Sequence, residues 1–136
     1  MTTDRIVNPF EMEISVLPTD IDEQDHVNNM VYLRWVQEIA IAHWQAVASI
    51  EAQSGVAWVV LRHEIDYKRA ARIGDEIKLR TWVGKATRLT FERFTEISRK
   101  ADGQLLAKGR TLWCPVNPAT GKPVRVSTDV RTQFSI

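Results

Sequence analysis

Between about Asn29 and about Ala52 the chain carries its longest apolar helical pattern, and that pattern constrains everything around it. Val31, Leu33, Trp35, Val36, Ile39, Ala40, Trp44 and Val47 cover most of the circumference, while Arg34, Glu38, Gln45 and Ser49 lie near one narrow polar stripe. A surface helix shows a narrower apolar face, so this rod is expected to be enclosed by a sheet or by a partner subunit. The remaining sequence supplies a sheet. Phe10, Met12, Ile14 and Val16 alternate with Glu11, Glu13 and Ser15, the period of a strand with one buried face, and Pro18 ends it.

After Gly55 the sequence is strand after strand. Strict alternation puts Ala57, Val59, Leu61, His63, Ile65 and Tyr67 on one face of a long strand and Trp58, Val60, Arg62, Glu64 and Asp66 on the other. The Arg72 to Asp75 turn leads into a strand from Glu76 to Lys85, a further arm runs from Leu89 to Arg99, and Asp102-Gly103 turns into a strand from Gln104 to Val116. Ser127 is positioned to cap a short helix through Phe134. The expected class is α+β, one long helix wrapped by a curved antiparallel β-sheet of about five strands, in a single domain over residues 1–136.

Bulk properties exclude several function classes. Eighteen basic against seventeen acidic residues give no global field for nucleic acid or an anionic membrane. No segment approaches the roughly 20 apolar residues that span a bilayer, since His43, Gln45 and Ser49 interrupt the run from Ile39 to Ile50. Lone Cys114 makes no internal disulfide, and the polar start Met1 to Arg5 lacks the apolar core of a signal peptide. The expectation is a soluble, cytoplasmic protein.

Chemistry concentrates where the helix begins. Thr19 to Tyr32 reads T-D-I-D-E-Q-D-H-V-N-N-M-V-Y, with three aspartates, a histidine and two asparagines at the start of the rod. A helix N-terminus presents unpaired N–H donors and the positive end of the macrodipole, which suits a group that is anionic or becomes so. A calcium loop would need Gly and Glu where Asp25 and Val31 stand. No His or Cys spacing suggests zinc, so neither a metal nor another cofactor is expected.

The run Asp20-Ile21-Asp22 through His26-Val27-Asn28-Asn29 to Tyr32-Leu33-Arg34-Trp35 resembles the signature of the hot-dog-fold acyl thioesterases. That group includes 4-hydroxybenzoyl-CoA thioesterases, related bacterial acyl-CoA thioesterases and plant acyl-carrier-protein thioesterases. His63 to Tyr67, the Gly74-Asp75 turn, and Trp113 with Asn117 to Val124 extend the likeness over nearly the whole chain. The resemblance implies a hot-dog fold, hydrolysis of acyl-CoA, and a homodimer or homotetramer with its pocket between subunits. It implies Asp22 as the catalytic carboxylate, and it likens His26 with the paired asparagines to the H-V-N-N of the plant-type enzymes. Three positions depart from the pattern: Asp25 replaces a common Gly, Gln24 an Asn, and Ala70 a Glu.

Thioester hydrolysis asks for a positioned water or nucleophile and for donors aimed at the carbonyl oxygen, because a thiolate leaves readily. Asp22 would serve as general base or attack the carbonyl to form an anhydride, and the sequence leaves both routes open. His26 would orient Asp22, hold the water, or only donate to a loop carbonyl. Amides around Asn29 to Val31 would be the donors, with Asn28, Asn29, Met30, Val31 and Tyr32 contacting substrate. Asn28 and Asn29 are also plain helix caps, and an Asp in a loop most often bonds nearby backbone N–H groups. Asp20 and Asp25 are assigned to structure. Glu38, two turns into the helix, is a weaker candidate acid, while His43 and His63 read as core histidines. For the CoA phosphates the candidates are Arg69, Lys85 and Arg88, with Lys68 and Arg72, although solvated strand surface is the commoner reading for any single one of them. An enoyl-thioester hydratase would resemble a G-D-x-N-P-x-H motif that this chain lacks. An alternative from another class is a non-catalytic acyl-thioester or protein-binding module, for which Trp58 and Trp82 would offer exposed aromatic surface.

Overall fold

In the computed structural model, which describes residues 8–134 and 136, the first strand β1 (Phe10–Ser15) lies at one edge of a five-stranded antiparallel sheet. Its neighbours follow in the order β1, β3 (Glu76–Ala86), β4 (Phe91–Arg99), β5 (Leu105–Val116) and β2 (Ala57–Tyr67). The sequential strands β3, β4 and β5 pair as hairpins, whereas β1 joins β3 and β2 closes on β5, pairings that no local turn dictates. The polar start Met1 to Arg5 lies outside the described residues.

Against one face of this sheet packs α1 (Asn29–Val47). Tyr32, Trp35, Val36 and Ile39 on the helix meet Ile77, Leu79, Ile97 and Leu106 on the strands, all at 2% exposure or less. Burying one such large apolar side chain contributes roughly 1.5–3 kcal/mol, so this face of the helix anchors the fold. Val36 sits over Gly109 on β5, its Cγ2 3.7 Å from where a Cβ would stand. A second cluster joins Phe91 to Val126, Val130 and Phe134 around α3 (Thr128–Gln133), which Ser127 caps at Val130 N. Among the described residues no helix is long and apolar enough to cross a membrane.

Four details differ from the sequence expectation. The long helix ends at Val47 rather than near Ala52, because Ala48 turns extended and Ser49 caps a separate helix, α2 (Ile50–Gly55), through Ala52 N. Within one protomer the sheet alone does not enclose the helix all round, since Met30 and Ile41 remain exposed. A β-bulge between Val60 and Arg62 shifts the register of β2. Trp58 and Val60 therefore face inward before it and His63 and Ile65 after it, leaving Val59 and Leu61 exposed. Finally, Trp82 is buried and stacked on Phe94, and Trp58 is half-buried, so neither ring is free aromatic surface.

Candidate functional site

A 3-10 turn, Pro18–Asp20, delivers the acidic segment to the start of α1. Asp20 is a tether. Its buried carboxylate accepts from Leu17 N through Oδ2 and from Arg34 Nη2 through Oδ1, each at 2.9 Å, while its carbonyl accepts from Asn28 N. The Asp20 contact raises the Arg34 guanidinium pKa. Loop and helix are thus joined by a charged hydrogen bond before the reactive part of the loop begins.

From Asp22 to His26 the chain makes a tight reversal. Asp22 N donates to His26 O at 2.8 Å and Asp25 N to Asp22 O at 3.2 Å, and Ile21 bridges Val27. Asp25 takes φ +63°, the left-handed conformation that glycine adopts freely and Asp tolerates better than most residues. The Gly-to-Asp departure leaves the reversal intact. Asp22 Oδ1 accepts from Gln24 N at 2.9 Å and His26 N at 3.4 Å. Its Oδ2 makes no hydrogen bond among the described residues. One oxygen is held by the backbone, and the other remains available.

Asn28 caps α1 by accepting from Met30 N at 2.9 Å, and its carbonyl accepts from Val31 N. Of the expected donor amides this leaves Asn29 N, which has no acceptor among the described residues. Across the loop, Tyr67 Oη donates to Asn29 O at 3.2 Å and Tyr32 Oη accepts from Ala71 N at 2.9 Å. Burial raises the Tyr32 phenol above its ordinary value, which keeps it neutral. Val27 N completes the clasp by donating to Ala71 O. The segment after β2 is thereby pinned over the helix start.

These parts enclose an open cavity of about 490 Å³. Asp22, His26, Asn28, Asn29 and Tyr32 line it together with Gln24, Tyr67, Lys68, Arg69 and Ala70. Met30 and Val31 do not: Met30 points to solvent and Val31 into the core. Arg69 is brought to the cavity, but Lys85 and Arg88 are not. They stand at the far end of the sheet, near the Thr87–Thr90 turn, about 30 Å along β3 at 3.3 Å per residue. Glu38 pairs with Arg34 on the outer face of the helix. The sequence reading missed Gln24 and Tyr67. Tyr67 had a usable signal, as the last residue of an apolar strand row and next to two cations, whereas Gln24 enters only because the reversal brings this exposed residue to the cavity's border.

A family model described as the thioesterase-like superfamily matches residues 16–134. The chain is 21% identical over 134 residues to a chloroplastic palmitoyl-acyl carrier protein thioesterase of Gossypium hirsutum, covering 92% of this chain but 32% of the relative. It thus spans about a third of that relative's length. Similar solved structures include a 1,4-dihydroxy-2-naphthoyl-CoA thioesterase from Synechocystis, with TM-score 0.80, 20% identity, and 94% and 96% of the two chains covered. A thioesterase from Thermus thermophilus complexed with coenzyme A and Zn has TM-score 0.80 at 23% identity, covering 91% and 90%. The described fold is the hot-dog fold of these neighbours.

Proposed function

Because the chain belongs to the thioesterase-like superfamily, we propose that it hydrolyses acyl-CoA thioesters at the Asp22 cavity. One observation carries the reading: Asp22 lines a cavity at the helix start with one carboxylate oxygen fixed by backbone amides and the other unengaged among the described residues. Oδ2 takes a proton from water as the water oxygen adds to the acyl carbon. Asn29 N, at the positive end of α1, donates to the carbonyl oxygen as it gains charge. The C–S bond then breaks and CoA leaves as a thiolate, which collects the proton from Asp22, so one water yields one acid and one thiol. In the nucleophilic variant Oδ2 itself attacks and water opens the resulting anhydride. His26, whose amide holds Oδ1, sets the carboxylate's direction, and Asn28 holds the first turn. Lys68 and Arg69 supply positive charge for the CoA phosphates.

No metal or other cofactor enters this chemistry. The curated relative's name places acyl-carrier protein beside CoA as a possible carrier, so both forms belong in the assay. A homo-oligomer fits the edge strand β2, where Val59, Leu61 and Tyr67 are exposed beside unpaired backbone groups. Within one protomer Lys85 and Arg88 cannot reach the Asp22 cavity, and only a second copy would bring them near.

The test is thiol release from a panel of acyl-CoA and acyl-carrier-protein substrates, comparing wild type with Asp22→Asn. The variant should lose at least a hundredfold in kcat, on the order of the contribution of a positioned base. Equal rates would remove Asp22 from the mechanism, and no thiol from any substrate would leave a binding module. A single turnover in ¹⁸O-water tests the nucleophilic route: label in the Asp22 carboxyl marks an anhydride opened at Asp22.

A further inference from the structure

The larger internal space is elsewhere. A cavity of about 510 Å³ lies between the second half of α1, α3 and the sheet, and it shares no lining residue with the Asp22 cavity. From Asn29 to Gln37, where it begins, the helix rises about 12 Å at 1.5 Å per residue. Its walls are largely apolar and include the rings of Trp44, Trp58, Phe91, Trp113 and Phe134. One cation stands among them.

Arg93 on β4 is buried at 8% exposure and lines this cavity. Its Nη1 donates to Thr81 Oγ1 at 3.2 Å and lies 2.8 Å from His43 Nδ1. Neither partner is an anion. Burial and the adjacent guanidinium push the His43 imidazole down to about 4, so at neutral pH it is an uncharged acceptor. Arg93 itself is lowered by burial only to about 10 and stays charged. None of the ion pairs among the described residues includes it. Glu92 also borders the cavity, but its carboxylate is taken by Arg110 Nε and Lys85 N.

A buried guanidinium without a carboxylate is unusual, because removing a charge from water demands a counter-charge or a full set of hydrogen bonds. A buried cation with no anionic partner, set in a largely apolar wall, defines the complementary guest.

We propose that this cavity is a second binding site, separate from Asp22, for a small carboxylate with an aromatic or branched hydrocarbon body, its carboxylate seated on Arg93. The body packs on Trp44, Trp58 and Phe134, and the volume lies in the range of small-molecule pockets. The same chemistry has two sources, a free carboxylic acid or the distal carboxylate of a diacid acyl group. The separation along α1 favours the free acid, because a short acyl group held at Asp22 does not span it within one protomer.

The test is tryptophan-fluorescence and calorimetric titration with 4-phenylbutyrate and its uncharged amide, 4-phenylbutyramide. The carboxylate should bind at least tenfold more tightly than the amide, and Arg93→Gln should abolish that preference while Asp22→Asn leaves it intact. Arg93→Lys, which keeps the charge, should retain part of it, and a thermal melt identifies any variant that fails to fold. If both Arg93 variants unfold, Ile41→Glu, which puts a like charge at an exposed position of the cavity lining, should weaken the carboxylate more than the amide. Equal binding of carboxylate and amide overturns the proposal, as does binding of neither when Arg93 also gives no preference between sebacoyl-CoA and decanoyl-CoA. Sebacoyl-CoA against decanoyl-CoA, both on Asp22→Asn, is the source arm: Arg93-dependent preference there without binding of the free acid moves the carboxylate to the acyl tail. Because the free-acid readout does not involve turnover, its failure is distinguishable from failure of the hydrolase reading.

Discussion

Acidification should loosen this fold through His43. The ring is 6% exposed, stacked on Phe10 and edge-on to Phe134 with both centroid distances 4.9 Å, and its Nδ1 faces Arg93. Burial first, and the Arg93 charge second, lower its pKa from 6.5 to about 4. In the unfolded chain the ring titrates near its ordinary value. As pH falls through 6.5 the unfolded state gains a proton that the folded state takes up only near pH 4, so stability is full above that window and lost across it. The gap of about 2.5 units at about 1.4 kcal/mol each sets a total loss of roughly 3.4 kcal/mol, of which about 2 kcal/mol has gone by pH 5. Folded domains hold only about 5–15 kcal/mol, so a loss of this size is measurable. Urea unfolding followed by tryptophan fluorescence at about pH 7.5 and pH 5, on wild type and His43→Gln, isolates the effect. His63, lowered by burial in the same direction, and the carboxylates are common to both proteins and cancel. Wild type should lose about 2 kcal/mol more than His43→Gln. An equal loss would show that His43 is not held neutral in the folded state.

Three further outcomes follow from local geometry. With φ +63° at position 25, Asp25→Gly should raise stability by a few tenths to about 1 kcal/mol and Asp25→Ala should lower it by about 1 kcal/mol, an ordering that denaturant midpoints check directly. A Cβ at Gly84 would meet Phe94 Cε2 and Glu92 Oε1, both at 2.6 Å, so Gly84→Ala should cost roughly 1–3 kcal/mol. An unchanged melting temperature would mean the Phe94 ring swings aside freely. Leu61→Asp puts a charge on the exposed bulge of edge strand β2, and light scattering should show a smaller assembly with unchanged circular dichroism. An unaltered mass would place any subunit contact elsewhere.

How much of this was legible in the sequence depends on how local each cause is. The strands β3, β4 and β5 were readable because each carries its own alternation and is joined by a short turn, with Gly74 and Gly103 at positive φ where those turns need it. The bulge in β2 was not, because Val59, Val60 and Leu61 are all apolar and no alternation marks which one slips. The break at Ala48 was missed although Ser49 is a good cap, since the same serine also fits the polar stripe of a continuous helix. The acidic loop could be placed at the helix start, yet the division of labour between Asp20 and Asp22 could not. That division depends on Arg34, Leu17 and the His26 amide arriving at particular oxygens.

Arg93 shows where sequence reading ends. Period-two alternation puts Phe91, Arg93, Thr95 and Ile97 on one face, and three of those four residues suit the interior. The charge of Arg93 argues for the opposite side, and nothing in β4 decides between them. The deciding group is His43, fifty positions earlier, which offers a neutral acceptor only because the core around it has excluded water. The His43 titration and Arg93's preference for a carboxylate therefore report on one buried cluster from two directions. Replacing the imidazole by Gln should remove the extra acid sensitivity of folding while leaving the carboxylate preference at neutral pH in place, because the cation that seats the carboxylate keeps its charge without the ring.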